Sequence, residues 1–222
     1  MDTRIPKSDA ATYLSTPAIS VCVGDEDDGK KTFTVHEGLI TARSLFFRNA
    51  LNGNWRESDD KSVPLDDVDP EIFAIYLNSI YHNQLPVFPA SGEVDGGGQF
   101  ETLMKVYVLA DKLMDTTTKN TILDAVICRV RERKIPSPAA LTIVYVSTPE
   151  NDPMRRLVVD VCAQWGSIDS FANERPPADF MYDLLVAMRK MHPSTSPTER
   201  ALAGLNPAHY RIKEGGSGEV KG

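Results

Sequence analysis

The sequence predicts an α/β (α+β) fold: a small, mostly three-stranded sheet covered by helices, followed by an all-helical C-terminal extension. Short segments near the start of the chain alternate apolar and polar residues, which is typical of half-buried strands. Apolar residues fall at helical spacing through most of the rest. With 222 residues, 41% of them hydrophobic, the chain can bury one sizeable core and a small helical annex.

Three strands are predicted in the first third of the chain. Residues 19–23 and 32–35 both alternate, and the charged stretch 24–31 between them has the composition of a turn, so the two strands form a hairpin. A third short strand is predicted over residues 62–65. Because Pro64 has no backbone N–H to donate, this strand belongs at the edge of the sheet or ends there.

Helical spacing replaces the alternation directly after the hairpin. It predicts two short helices in tandem, with Ser44 placed to cap the second. Asp69 and Pro70 then supply an N-cap and a first-turn proline for a longer helix that ends near Tyr81. Residues 86–99 combine two prolines with a run of glycines and predict an exposed loop.

The second half of the chain reads as a series of capped helices. Order resumes at Phe100, and Asp115 is placed to cap the following helix. The pairs Ser137-Pro138 and Asp152-Pro153 repeat the cap-plus-proline pattern, and a last helix runs up to His192-Pro193. The chain therefore divides into a flexible N-terminal segment (1–17), a domain (18–134), a helical extension (135–192) and a flexible tail (193–222).

Charge and cysteine content narrow the function classes. A net charge of −7 argues against a nucleic-acid partner, since phosphate binding requires clustered cations. Cys22, Cys128 and Cys162 stand in apolar stretches without CxxC spacing, which predicts reduced core thiols rather than disulfides or a zinc site. The first residues lack the apolar region of a signal peptide and no segment has the roughly 20 apolar residues that span a bilayer. We expect a soluble intracellular protein, cytoplasmic or nuclear, with no membrane partner.

No pattern of catalytic, cofactor-binding or metal-binding residues emerges. His36 stands alone, without a second histidine at ligand spacing, so a hydrogen-bonded structural histidine is the favoured interpretation. The acidic stretch 25–29 fits a solvated hairpin tip better than a calcium loop, and the glycines 96–98 lack the ending of a phosphate-binding loop. The basic residues 129–134 fit a solvated helix end better than an anion site. We predict a non-enzymatic protein without a cofactor.

The landmarks occur in an order that resembles the BTB/POZ domain, particularly its fungal form. The resemblance covers residues 18–134 and includes the Ser-x-x-Phe pattern of 44–47, the hydrophobic-x-Glu-Ser segment 55–58 and the Tyr-x-Leu-Ala-Asp-Lys pattern of 107–112. The residues that carry the family pattern structurally are His36, Ser44, Phe47, Tyr81, Ala110 and Asp111.

This resemblance implies a protein–protein interaction module that serves for self-association or docks partners such as cullin ubiquitin-ligase scaffolds, as a substrate adaptor would. In cullin-binding members the hydrophobic-x-Glu segment lies at the contact surface. The resemblance therefore places Trp55, Arg56 and Glu57 in a partner contact, with Trp55 as aromatic anchor and Glu57 as charged partner. The alternative is that Trp55 closes the domain's own core and Glu57 caps a turn.

Two other functions stay open. One is a structural module that self-associates through its sheet edge or C-terminal helices. The other is a transcription-related BTB protein without its own DNA-binding domain. Repressor-type members place an acidic residue at the start of the first strand and a basic one after the junction histidine, whereas this chain has Ala18 and Glu37. That difference disfavours the repressor pocket, so the expected partners are a cullin scaffold or a second copy of the chain.

Overall fold

The computed structural model describes residues 15–25, 29–52, 62–87, 98–165, 171 and 174–191. Within these ranges it contains three strands and eight helices: β1 Ala18–Val23, β2 Lys31–His36, α1 Glu37–Arg43, α2 Leu45–Leu51, β3 Ser62–Leu65, α3 Pro70–His82, α4 Gly98–Lys112, α5 Thr116–Arg131, α6 Pro138–Ser147, α7 Pro153–Trp165 and α8 Ala178–Met191. The predicted fold class, a small sheet with helices and a helical extension, is confirmed.

The sheet has the strand order β2-β1-β3. β1 and β2 pair antiparallel, with Ala18 opposite His36, which confirms the hairpin. β3 pairs parallel to β1 from Ser20 opposite Ser62 onward, so Pro64 lies on an edge strand as predicted. Gly24 leaves β1 with a φ of 84° and donates its N–H to the Leu65 carbonyl at 3.1 Å, which ties the hairpin to the end of β3.

The predicted helix caps are present. The side chains of Ser44, Asp69, Asp115 and Ser137 each accept a hydrogen bond from a backbone N–H in the first turn of the following helix. The predicted start of α4 is wrong by two residues. The helix begins at Gly98 rather than at Phe100, and Gln99 is already buried beside the buried Phe100 and Leu103. Of the predicted loop, residues 88–97 lie outside the described residues.

Helix α4 lies at the centre of the molecule and packs against α3, α5 and α6. Its side chains Leu103, Met104, Val106 and Tyr107 are fully buried. The extension continues the same hydrophobic core through fully buried side chains of α6 and α7, which are Leu141, Val144, Met154 and Val158. The last helix, α8, packs against α7 and α6. The boundary between domain and extension at residue 134 stays a prediction, as do the N-terminal segment and the tail, most of which lie outside the described residues.

The cysteine prediction is only partly correct. All three thiols are free, but only Cys162 is buried, whereas Cys22 is half-buried and Cys128 is exposed. The buried face of α5 is formed by Ile122, Val126 and Val130 at helical spacing, and Cys128 falls between them on the outer side. An apolar neighbourhood in sequence therefore did not imply burial, because the phase of the helix decides it.

We expect iodoacetamide at pH 8 to alkylate Cys128 well before Cys162 in the native protein. Burial raises the pKa of the Cys162 thiol to about 11, which leaves very little of the reactive thiolate at this pH. Mass spectrometry of the labelled peptides over time measures both rates. In urea the two cysteines should react alike, and equal rates in the native protein would contradict the burial of Cys162.

Candidate functional site

Two residues of the family pattern, His36 and Tyr81, contact each other although they are far apart in sequence. The backbone N–H of His36 donates to the Tyr81 hydroxyl at 3.0 Å, and the His36 Nδ1 lies 2.9 Å from the same oxygen. These bonds fix the junction of β2 and α1 against the end of α3. His36 is therefore hydrogen-bonded as predicted, and its purely structural role stays a prediction.

Ser44 and Phe47 connect α2 to the end of α4. The Ser44 hydroxyl donates to the Leu113 carbonyl at 2.6 Å and accepts from the Phe47 N–H at 3.2 Å. Ser44 and Phe47 are both fully buried. The serine therefore acts as a helix cap and as a clamp that holds the start of α2 beside the α4–α5 turn.

Ala110 and Asp111 have different environments on adjacent positions of α4. Ala110 is fully buried, and its carbonyl accepts from the Asp115 N–H at 2.9 Å in the turn that ends the helix. Asp111 lies at the surface and accepts from Lys119 at 2.6 Å. Both residues shape the α4–α5 turn, the first by packing and the second by an ion pair.

Asp115 is the centre of a buried polar network that the sequence indicated only as a cap. Its carboxylate accepts from the Thr118 N–H at 2.9 Å, from the Thr118 hydroxyl at 2.7 Å and from the Tyr76 hydroxyl at 3.3 Å. The Arg43 guanidinium lies 3.5 Å away. Burial, followed by the charge of Asp115, raises the pKa of Tyr76 well above its usual value. The network joins α1, α3 and α5.

A second buried network surrounds Asp152 and joins the extension to α4 and α5. One carboxylate oxygen accepts from the Tyr107 hydroxyl at 2.8 Å and from the Met154 N–H at 2.7 Å, and the other accepts from Lys119 at 3.2 Å. Burial and the bond to Asp152 raise the pKa of Tyr107 to about 12. Burial alone would lower the pKa of Lys119, but its hydrogen bonds to Asp111 and Asp152 raise it.

A surface groove of about 360 Å³ opens between these two networks, and we call it the α2–α5 groove. Its lining residues come from α2, the α4–α5 region and the start of α7: Leu45, Tyr107, Asp111, Met114, Thr116, Lys119, Asn120, Leu123 and Pro153. Leu45 is 42% exposed and Met114 is 45% exposed. Met114 has a φ of 54°, a conformation that few non-glycine residues adopt. The backbone thus presents two apolar side chains to solvent beside an Asp111–Lys119 ion pair.

A family model described as the BTB/POZ domain matches residues 19–121. The chain contains a BTB/POZ domain. This match confirms the resemblance that the sequence pattern indicated. BTB domains are protein-interaction modules, so this region serves in protein binding.

Curated proteins that resemble the chain carry a BTB domain in their names. They include Kelch repeat and BTB domain-containing protein 4 of Pongo abelii and of Homo sapiens, each 22% identical over 134 residues, and that of Mus musculus, 21% identical over the same length. The match covers 60% of this chain but only 22 to 23% of these proteins. The chain thus aligns with less than a quarter of the length of the curated relatives it matches.

The predicted partner contact of the BTB domain, Trp55-Arg56-Glu57, lies outside the described residues. In sequence it connects Asn52, the C-cap of α2, to Ser62, the first residue of β3. Its two interpretations, partner anchor or closure of the domain's own core, therefore both stay predictions. The groove adds residues that sequence reasoning missed, because Leu45 and Met114 look like ordinary core positions. The sequence pattern identified only their polar neighbours as helix caps: Ser44, directly before Leu45, and Asp115, directly after Met114.

Three other features of this BTB domain and its extension concern metal binding, membrane insertion and anion binding. Among the described residues, no three metal-binding side chains come together. The helices in the described ranges are also too short or too polar to cross a membrane. At the basic end of α5, Arg131, Arg133 and Lys134 are exposed, whereas Arg129 pairs with Glu132 at 2.7 Å and lies over the Phe100 ring with only 11% of its side chain exposed, so the predicted solvated helix end does not include Arg129.

Proposed function

We propose that this protein is a non-enzymatic BTB adaptor that docks a cullin-type ubiquitin-ligase scaffold through the α2–α5 groove and the adjoining segment 55–57. The observation that carries the proposal is the exposure of Leu45 and Met114 within a rigid frame. Protein interfaces concentrate their binding energy in a few apolar side chains surrounded by polar groups. The groove offers this combination, with Lys119 and Asp111 beside the apolar pair.

The frame of the groove is held by bonds that do not depend on a partner. The Ser44–Leu113 hydrogen bond fixes the wall that carries Leu45, and the bond from Tyr107 to Asp152 fixes the wall formed by α4 and α7. A surface that is already ordered loses little conformational entropy when it binds, which favours affinity. In sequence, Trp55 stands three residues after Asn52, the C-cap of α2, so the groove residue Leu45 and the proposed anchor Trp55 belong to one stretch of chain.

Titration calorimetry with the N-terminal domain of a cullin tests the proposal. We expect Trp55→Ala and Leu45→Asp each to weaken binding by about 30-fold or more, as interface anchors do. Glu57→Ala should weaken it by about 10-fold. The matched control is Val146→Asp, which changes an apolar side chain of α6 that is 79% exposed and outside the groove, and which should bind like the unchanged protein.

Two outcomes of the binding experiment and one unfolding measurement separate the alternatives. If no cullin binds, the adaptor role is wrong. If a cullin binds and the variants at 45, 55 and 57 all bind normally, the proposed contact surface is wrong. A thermal unfolding scan of Trp55→Ala distinguishes the interpretations of this residue, because an anchor leaves the melting temperature unchanged whereas a core residue lowers it by several degrees.

A second function, self-association, is favoured by a different observation, the apolar outer face of α8. It uses a surface distinct from the groove and is compatible with cullin docking.

A further inference from the structure

Helix α8 is apolar on two opposite sides. Its inner side places Phe180 and Leu184 in the core, with 0% and 8% of their surface exposed. Its outer side carries Tyr182, Leu185 and Val186, which are 69%, 63% and 37% exposed. The outer three stand at positions i, i+3 and i+4, so they form one continuous stripe. Packing against α6 and α7 explains the inner side but leaves the outer stripe in contact with solvent.

A groove beside the stripe enlarges the apolar surface. It has a volume of about 560 Å³ and runs between α7 and α8. Tyr182 and Val186 line it from α8, and Val159 lines it from α7. A helix that lay along the stripe could therefore seat a side chain in the groove as well as on the helix face. Contiguous exposed apolar surface of this kind marks interaction sites in soluble proteins.

The charges of α8 identify which partner fits. Asp179 stands near the start of the helix and Lys190 near its end, and both are exposed. They are eleven positions apart, which is about three helical turns, so they lie on the same flank of the stripe. Asp183 on the same flank already accepts from the Tyr145 hydroxyl at 2.9 Å, and Arg189, which is exposed, adds positive charge at the end of the stripe. The flank therefore has a negative start and a positive end, with Tyr182, Leu185 and Val186 between Asp179 and Lys190 along the helix.

We propose that this face docks a second copy of the chain, with the two α8 helices antiparallel about a two-fold axis near Leu185. A two-fold interface requires one surface that is complementary to itself. In an antiparallel pair, each flank faces the same flank of the other helix with its direction reversed. Asp179 of one copy then faces Lys190 of the other, and the same pairing occurs a second time by symmetry. The apolar stripes meet in the middle.

The proposal gives the self-association function a surface and does not depend on cullin binding. One helix pair and a shallow groove bury less area than a standard interface, so we expect a reversible dimer with a dissociation constant on the order of 10 μM. Sedimentation equilibrium of the full chain between about 1 and 200 μM covers this range. The unchanged protein should show a monomer–dimer equilibrium.

Charge exchange tests the register. Asp179→Lys places a lysine opposite Lys190 at both ends of the interface, and Lys190→Asp places an aspartate opposite Asp179. Each variant alone should dimerise about 10-fold more weakly, because like charges face each other. An equimolar mixture of the two variants should recover the affinity of the unchanged protein, since each end of the mixed dimer again joins a lysine to an aspartate. The double variant D179K/K190D should also recover it.

Leu185→Glu tests the apolar stripe and should weaken dimerisation by about 30-fold or more. Val146→Glu, an exposed apolar residue of α6, is the matched control and should not change it. Circular dichroism checks that each variant remains folded, which exposed positions favour. A protein that stays monomeric at 200 μM overturns the proposal. A dimer that persists in Leu185→Glu, or a mixture of charge variants that recovers nothing, also overturns it.

Discussion

Replacing Asp115 by alanine should lower the free energy of unfolding by about 4 kcal/mol, as breaking a buried ion pair and removing a helix cap together do. The carboxylate is fully buried and accepts hydrogen bonds from Thr118 and Tyr76, with Arg43 at 3.5 Å. Without it, the mostly buried Arg43 guanidinium loses its counter-ion, keeping only its hydrogen bond to the Thr118 hydroxyl at 2.9 Å, and the buried Tyr76 hydroxyl loses its acceptor. Urea denaturation followed by circular dichroism measures the change.

The control for Asp115 lies on the same helix. Asp124 is exposed on α5, so Asp124→Ala should change the free energy of unfolding by no more than about 0.5 kcal/mol. Asp115→Asn should fall between the two, since an amide oxygen can still accept from the Thr118 N–H but carries no charge for Arg43. A loss of less than about 1 kcal/mol in Asp115→Ala would mean that water replaces the carboxylate and that the network does not hold α1, α3 and α5 together.

Asp152→Ala should destabilise the protein by about 3 kcal/mol, and its effect should be concentrated in the extension. The side chain caps α7 through the Met154 N–H and accepts from Tyr107 on α4 and Lys119 on α5. Lys119 keeps Asp111 as a partner at 2.6 Å, so less charge is left unpaired than in the Asp115 variant. Hydrogen exchange of individual amides should show faster opening of α7, while α3 and β1 stay protected.

Asp160→Ala serves as the matched control, because Asp160 is exposed on the same helix, α7. It should leave the exchange of α7 unchanged within error. If Asp152→Ala instead accelerates exchange equally in β1, α3 and α7, then the domain and the extension unfold as one cooperative unit, and the network has no local role at their junction.

The elements of this fold could be predicted because their signals are local. Ser44, Asp69, Asp115 and Ser137 each precede a helix by one residue, and a cap is determined by the turn that follows it. Pro64 predicted that β3 lies at the edge of the sheet or ends there, and β3 is an edge strand. The pairing of His36 with Tyr81 was not predicted as such, although both residues were identified from the family pattern.

The candidate site could be predicted only in part, because it depends on contacts between distant segments. The second role of Asp115, as acceptor for Tyr76 and neighbour of Arg43, joins three helices that no spacing rule relates. The groove is formed where α2, α4, α5 and α7 meet, so Leu45 and Met114 resemble core residues until the packing is known. For the same reason the predicted burial of Cys128 was wrong, since an apolar composition does not give the direction in which a side chain points.

The order of strands in the sheet implies an order of events during folding. β1 and β2 are neighbours in sequence and can pair as soon as both have left the ribosome, whereas β3 joins β1 across two helices. Bringing β3 to β1 requires closing a long loop, which is favourable only after α1 and α2 have packed. The elements that precede and follow segment 55–57 in sequence, α2 and β3, are both in place only when Ser62 has joined the sheet. The docking proposed through that segment would thus be limited to chains that have finished folding.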